Sequence, residues 1–311
     1  MEIIEAKYGA NDKYINVTKI VLEQKDSFKV CNELFTDPIY GVVKELIIKY
    51  KNGIIINTQE SDIYNFNKVA LVCIAKAEKL YITEWISYYV KLGISHIYIY
   101  DNSDDNELKY LNNTNITVIP FSGKMKQIPA YNDFLQKYKN NYDYVAFFDC
   151  DEFLVLKKHN NISDFCIEHI KSGGLGINWY FFGNNGHEKY NDKPVLERFT
   201  KRQKQMNNHV KTIVKCSDII SMQVHNPQVM RENTYFKNIK GANIEYAFND
   251  DTDDSICQLN HYFCKSTEEL VNKCDRGRHG IIKRTFDALM HYLNFNDVED
   301  LLALNFYNSF V

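Results

Sequence analysis

The residues of this chain best suited to chemistry are the acidic ones of DCDEF: Asp149, Asp151 and Glu152. They follow Tyr144 to Phe148 (YVAFF), an apolar run whose type and length predict a buried strand. Side chains alternate along a strand, so Asp149 and Asp151 leave its carboxyl end on the same side of the pleat. Two carboxylates placed this way suit a hard divalent cation, Mn²⁺ or Mg²⁺, whose remaining positions go to water and to a substrate's phosphates. The competing reading of any D-x-D is a solvated turn, and the apolar strand ahead of this one favours the metal. Glu152 has a further alternative, which is to cap the next segment or to hold neighbouring backbone.

The surrounding pattern explains how such a strand would be positioned. Val69 to Ala75 is a continuous apolar run, read as a first buried strand. Residues 80 to 92 (LYITEWISYYVKL) carry apolar side chains at helical spacing and end at Gly93, which predicts a helix with a glycine stop. A strand from His96 to Tyr100 then enters the polar turn DNSDDNE. A short strand, Ile116 to Pro120, and a helix, Ile128 to Lys139, come before the acidic strand. Strands alternating with helices predict an α/β domain with a mainly parallel sheet covered on both faces. Ligands of such sheets bind at the carboxyl ends of the strands.

Upstream, Tyr14 to Thr18, Ser27 to Cys31, Glu45 to Tyr50 and Gly53 to Asn57 are short β-prone runs broken by polar turns. They predict a separate small antiparallel sheet or sandwich, with domains at 1–64 and 65–311. AKYGANDKYINVT followed by DPIYGVVKELIIKY resembles a small β-domain appended to varied proteins, for which packing or docking is the plain reading. Near the other end, Ile282, Phe286, Leu289 and Leu293 have the spacing of C-terminal helices that cover the site or form a homodimer contact.

A formal charge of -3 and a pI near 6.3 exclude a chain-wide field for nucleic acid or an anionic membrane. The first residues do not read as a secretory signal, and no apolar run approaches the roughly 20 residues of a membrane span. Eight scattered cysteines without a CxxC pair read as reduced thiols, so the expectation is a cytoplasmic protein.

From Val69 to about Gly280 the chain resembles glycosyltransferases of the family-2-like group, close in motif to glycosyltransferase family 92. The matching stretches are AKAEKLYITEWISYYVKLGISHIYIYDNSDD, DYVAFFDCDEFL, INWYFFGNNGH, ERFTKR, HVKTIVK and NHYFCKSTEELVNKCDRGR. The resemblance implies a GT-A (Rossmann-like) nucleotide-sugar-binding domain and an inverting transfer from a UDP-sugar, with galactose the first expectation for the hexose. The acceptor would be a glycan or a lipid-linked saccharide, and the basic ERFTKRQK leaves peripheral membrane association open beside a plain solvated surface. A bound divalent metal would stabilise the charge developing on the nucleoside diphosphate as it leaves. One position departs from the pattern: the family has K-N-E after the first strand, and here Lys76, Ala77 and Glu78 stand there.

The same resemblance distributes roles. Glu78, Asp101 and Asn102 become candidates for the nucleoside, although Asp101 and Asn102 are also what a tight turn uses. Trp179, with Tyr180 and Phe182, offers aromatic faces to a sugar ring, or else builds a core strand. The base that deprotonates the acceptor is sought among Glu188, Asp192 and Glu197, with Glu197 preferred and an ion pair to Arg198 or Arg202 as its alternative. Of the histidines at 209, 225 and 261, His261 is expected to complete the metal shell with Asp149 and Asp151. Lys265, Arg276 and Arg278 are expected to neutralise the diphosphate, the alternative being a solvated basic helix. Two other readings compete: a non-catalytic carbohydrate-binding or scaffold protein on a degenerate transferase fold, and a nucleotidyltransferase. AKAEKLY lacks the glycines that a triphosphate loop of the latter would need.

Overall fold

The computed structural model describes residues 3–24, 28–50, 55–64, 68–276 and 285–309. The chain divides into two compact units, Met1–Lys68 and Val69–Ser309.

The first unit holds a four-stranded antiparallel sheet. Strand β1 (Ile3–Ala10) lies between β2 (Lys13–Asn16) and β3 (Glu45–Tyr50), and β4 (Ile55–Gln59) pairs with β3. The residues of the resembled pattern have visible structural work here. Tyr8, Val17 and Leu46 are core, and the Thr18 hydroxyl accepts from the Ala6 N–H at 2.8 Å. Lys44 is buried with its ammonium 3.0 Å from Asp37 and 3.5 Å from Glu60. Gly9 sits where a Cβ would stand 2.0 Å from the Lys13 carbonyl oxygen, so the hairpin closes only on glycine. The β-prone run expected from Ser27 narrows to Phe28–Lys29, and the start expected at Gly53 lies outside the described residues.

The second unit is built on one mixed nine-stranded sheet. Its strands are β5 (Val69–Ala75), β6 (His96–Asp101), β7 (Ile116–Pro120), β8 (Tyr144–Phe147), β9 (Glu152–Leu156), β10 (Gly174–Phe181), β11 (Asn207–Lys215), β12 (Phe236–Lys237) and β13 (Cys257–His261). The order is β9-β13-β10-β11-β8-β5-β6-β7, with β12 beside β10. The half from β8 to β7 is parallel, as expected. In the rest, β10 is parallel to β12 and β13, while β11 runs antiparallel to both β8 and β10, and β9 antiparallel to β13, so the sheet is mainly parallel with antiparallel insertions.

Strand β5 shows why the sheet is covered on both faces. Val69, Leu71, Cys73 and Ala75 pack toward Trp85, Tyr88 and Tyr89 of helix α1 (Ile82–Lys91). Ala70 and Val72 pack the opposite way, toward Ala130, Tyr131 and Phe134 of helix α2 (Gln127–Lys137). Burying each large side chain of these two layers contributes about 1.5–3 kcal/mol. Helix α1 stops where expected, with Gly93 at φ 95. Helix α2 ends two residues short of the expected Lys139 and continues as the 3₁₀ turn Lys139–Asn141. Helices α3 (Ile162–His169) and α4 (Thr267–Arg276) follow β9 and β13. Near the C-terminus, Leu289 and Leu293 pack against Leu270 and Cys274 of α4, while Ile282 lies outside the described residues.

Candidate functional site

A cavity of about 440 Å³ opens at the carboxyl ends of β5 and β8. It is walled by residues of β10, β11, β13 and α4, and Leu289 and Tyr292 close part of it. Asp149, Cys150 and Asp151 lie on its floor because β8 ends at Phe147 and the chain turns there before β9.

Each carboxylate of this turn has a different environment. Asp149 Oδ2 is 2.7 Å from the Lys211 ammonium, and its Oδ1 accepts from Gln127 Nε2 at 3.0 Å. Asp151 Oδ2 is 2.7 Å from the Lys273 ammonium, and its Oδ1 is 3.4 Å from His261 Nε2. Glu152 is wholly buried and its Oε2 accepts from the Asp149 N–H at 2.7 Å, which is the backbone-holding alternative. Glu152 thus fixes the turn that aims the two aspartates.

Burial alone would raise the aspartate pKa values. Lys211 outweighs it at Asp149, and Lys273 with His261 outweighs it at Asp151, which is held well below the usual range. At Glu152 burial wins and pushes the carboxyl well above its ordinary value. Burial opposes the charge of Lys211 too, yet Asp149 and Glu152 together raise its pKa. Burial also lowers His261 against the pull of Asp151, which favours the neutral imidazole that can ligate a metal.

The loop after β5 is tied to α4. Arg276 Nη1 donates to Glu78 Oε1 at 2.9 Å and to the backbone carbonyls of Lys76 and Ala77. Ala77 has φ 54, in the left-handed region that suits Asn better than Ala. The asparagine of the family pattern therefore has a backbone reason to stand there, independent of any nucleotide contact. On the other wall Trp179 stacks on His209 with centroids 5.3 Å apart, and Phe181 stacks on His261 at 5.0 Å.

The structure brings Glu78, Asp149, Asp151, Trp179, His261 and Arg276 together around one cavity. It does not bring in Asp101 and Asn102. Asp101 accepts from the Ser103 and Leu108 N–H groups, and the Asn102 amide donates to the Phe121 and Gly123 carbonyls, so turn geometry takes up the Asp101 carboxylate and the Asn102 donors. Lys265 is buried with its ammonium 4.2 Å from the Tyr81 ring centre and does not line the cavity. Glu197 is exposed on the short helix Val195–Arg198, outside the cavity, because its buried neighbours Val195, Leu196 and Arg198 turn it outward. Its expected partners are engaged elsewhere: Arg198 with Glu269 and Arg202 with Asp300. Arg278 lies outside the described residues.

Lys211, Lys273 and Gln127 were not singled out as site residues by sequence. The signal for Lys211 was a lysine inside the matched apolar strand HVKTIVK. For Lys273 it was a lysine one helical turn before Arg276.

The donor types at the cavity, two carboxylates and an imidazole whose Nε2 faces Asp151, fit a divalent ion such as Mn²⁺. Among the described residues, the group of three candidate ligand atoms lying within 4.8 Å of one another is elsewhere, at His159, Glu168 and His169.

Residues 69–299 match the profile of glycosyltransferase family 92. A family 92 protein of Oryza sativa subsp. japonica is 26% identical over 131 residues, which cover 39% of this chain and 22% of that protein. The chain thus spans about a fifth of the length of that curated relative. Staphylococcal TarS (S. aureus, residues 1–349), solved in complex with UDP, overlaps with a TM-score of 0.37 at 15% identity, covering 78% of this chain and 70% of that one. TarS in complex with UDP-GlcNAc overlaps with a TM-score of 0.33 at 19% identity, covering 48% and 46%.

Proposed function

Because this chain belongs to glycosyltransferase family 92, we propose that its cavity binds a UDP-sugar and that the protein transfers the hexose, galactose first, with inversion. The acceptor is a glycan or a lipid-linked saccharide, and the work is done in the cytoplasm. One observation carries this reading: at the carboxyl edge of the parallel strands, Asp149 and Asp151 share a cavity with Lys273, Arg276 and an aromatic wall.

The leaving group of such a transfer is a diphosphate, whose developing charge must be stabilised. Lys273 and Arg276 lie on one face of α4, three residues apart, and supply that charge from the protein itself. Asp149, Asp151 and His261 would hold a divalent ion, which adds Lewis-acid stabilisation of the diphosphate when bound. Trp179 and Phe181 present apolar faces to the sugar ring. The acceptor proton needs a base within hydrogen-bond reach. Glu188, Asp192 and Glu197 are all exposed and outside the cavity, so the role passes to the cavity's own groups, His209 and His225 beside Trp179. Among the described residues no helix is long and apolar enough to cross a membrane.

The test is release of UDP from a panel of UDP-hexoses with candidate saccharide acceptors. Wild type is expected to turn over one donor best. Glu197→Gln is expected to keep its rate within about twofold, because an exposed carboxylate away from the site carries no transition-state interaction. A hundredfold loss in Glu197→Gln would return the base to that helix.

A further inference from the structure

Away from the cavity, the loop after β9 and the end of α3 bring two histidines and a glutamate together. His159 stands in the loop, and Glu168 and His169 form the last turn of α3. One ligand atom from each lies within 4.8 Å of the other two. The Glu168 carboxylate is shared between the rings, with Oε2 2.9 Å from His159 Nε2 and Oε1 3.6 Å from His169 Nε2. The two imidazoles pack nearly edge to face, centroids 5.1 Å apart, and both lie against the Phe165 ring.

A surface hydrogen bond between a histidine and a glutamate would need nothing more. Here the imidazoles are sunk into the protein, with side chains only 8% and 14% exposed. His169 Nε2, which faces the Glu168 carboxylate, is buried with no hydrogen-bond partner, an unfavourable state that a bound ion relieves. Glu168, by contrast, is 66% exposed and opens the cluster to solvent on one side, leaving room for a water ligand. Its negative charge sits at the C-terminal end of a helix, where the helix dipole favours a cation instead. Lys158 and Lys171, close to His169, repel a cation, and the Glu168 carboxylate offsets them.

We propose that His159, Glu168 and His169 form a binding site for a divalent transition ion of the zinc class, separate from the donor cavity. Two imidazoles and one carboxylate with an open fourth position are a zinc-type donor set. None of the three residues lines the cavity. The ion would tie the loop after β9 to the end of α3, a clip on the edge strand of the sheet.

The experiment uses the metal-stripped full chain carrying Asp151→Ala, which disables the donor site, titrated with Zn²⁺ against a chromophoric chelator and then with Co²⁺. The expected result is one tightly held Zn²⁺ per chain and visible cobalt absorption typical of four-coordination. Adding His169→Gln should weaken zinc by more than about tenfold and abolish the cobalt bands. Glu168→Gln, a change at an exposed side chain that leaves the core untouched, should weaken zinc as well. Absence of zinc binding, or binding unchanged by both His159→Gln and His169→Gln, overturns the proposal.

Discussion

Asp151→Ala is expected to lower transfer about a thousandfold while the second unit still unfolds cooperatively. The side chain bridges His261 and Lys273 at the cavity floor, so its loss removes a ligand of the proposed divalent ion and releases Lys273 from its fixed place. The fold tolerates the change because Lys273 keeps its bond to the Phe263 carbonyl at 2.9 Å and is partly open to water. Initial rates of UDP release, beside a thermal melt, separate the two effects. A variant that keeps more than about a tenth of the wild-type rate would show that Asp151 is not part of the reaction.

Lys211→Met is expected to act on stability instead, with a loss of about 3–5 kcal/mol, because it strands Asp149 and the fully buried Glu152 without their ammonium. The deficit has a pH signature. Glu152 has a folded pKa raised above its unfolded value, so its favourable contribution is full below the unfolded value and is lost as pH rises through the folded one. Without Lys211 that rise becomes larger, and Asp149 joins it. The variant's deficit should therefore shrink as the pH is lowered toward the carboxylate range. Adding Glu152→Gln should recover part of the loss, since one uncompensated charge is gone. Urea unfolding followed by tryptophan fluorescence measures this cleanly, because Trp85 and Trp179, the two tryptophans, both lie in the second unit. A loss below about 1 kcal/mol would mean that the Lys211 pair adds little to the fold.

Much of this architecture was legible in the residues. The alternation of apolar runs and helical spacing from Val69 to Phe148 marked β5 to β8 and the two helices between them nearly to the residue, because buried parallel strands and amphipathic helices carry strong periodic signals. DCDEF pointed to the cavity floor for the same reason: the strand before it was unmistakable. What was not legible depends on contacts between residues far apart in sequence. Lys211 sits in an antiparallel strand where a lysine reads as a solvent-facing residue, and nothing local says that Asp149 and Glu152 meet it in the interior. Glu197 looked suited to proton transfer by its place in a matched motif, but the packing of Leu196 and Arg198 decides which way that short helix turns. Asp101 shows the converse, since a carboxylate at a strand end that looks ready for a ligand is consumed by two backbone N–H groups. The left-handed backbone at Ala77 was likewise invisible, because alanine carries no signal for that conformation.

The most direct measurement is a calorimetric titration of UDP and a set of UDP-hexoses into the purified chain, with and without Mn²⁺. Binding that is strengthened by Mn²⁺, strongest for one UDP-hexose and lost in Asp151→Ala, is the predicted result. Absence of UDP binding under both conditions would contradict a UDP-sugar site in this cavity.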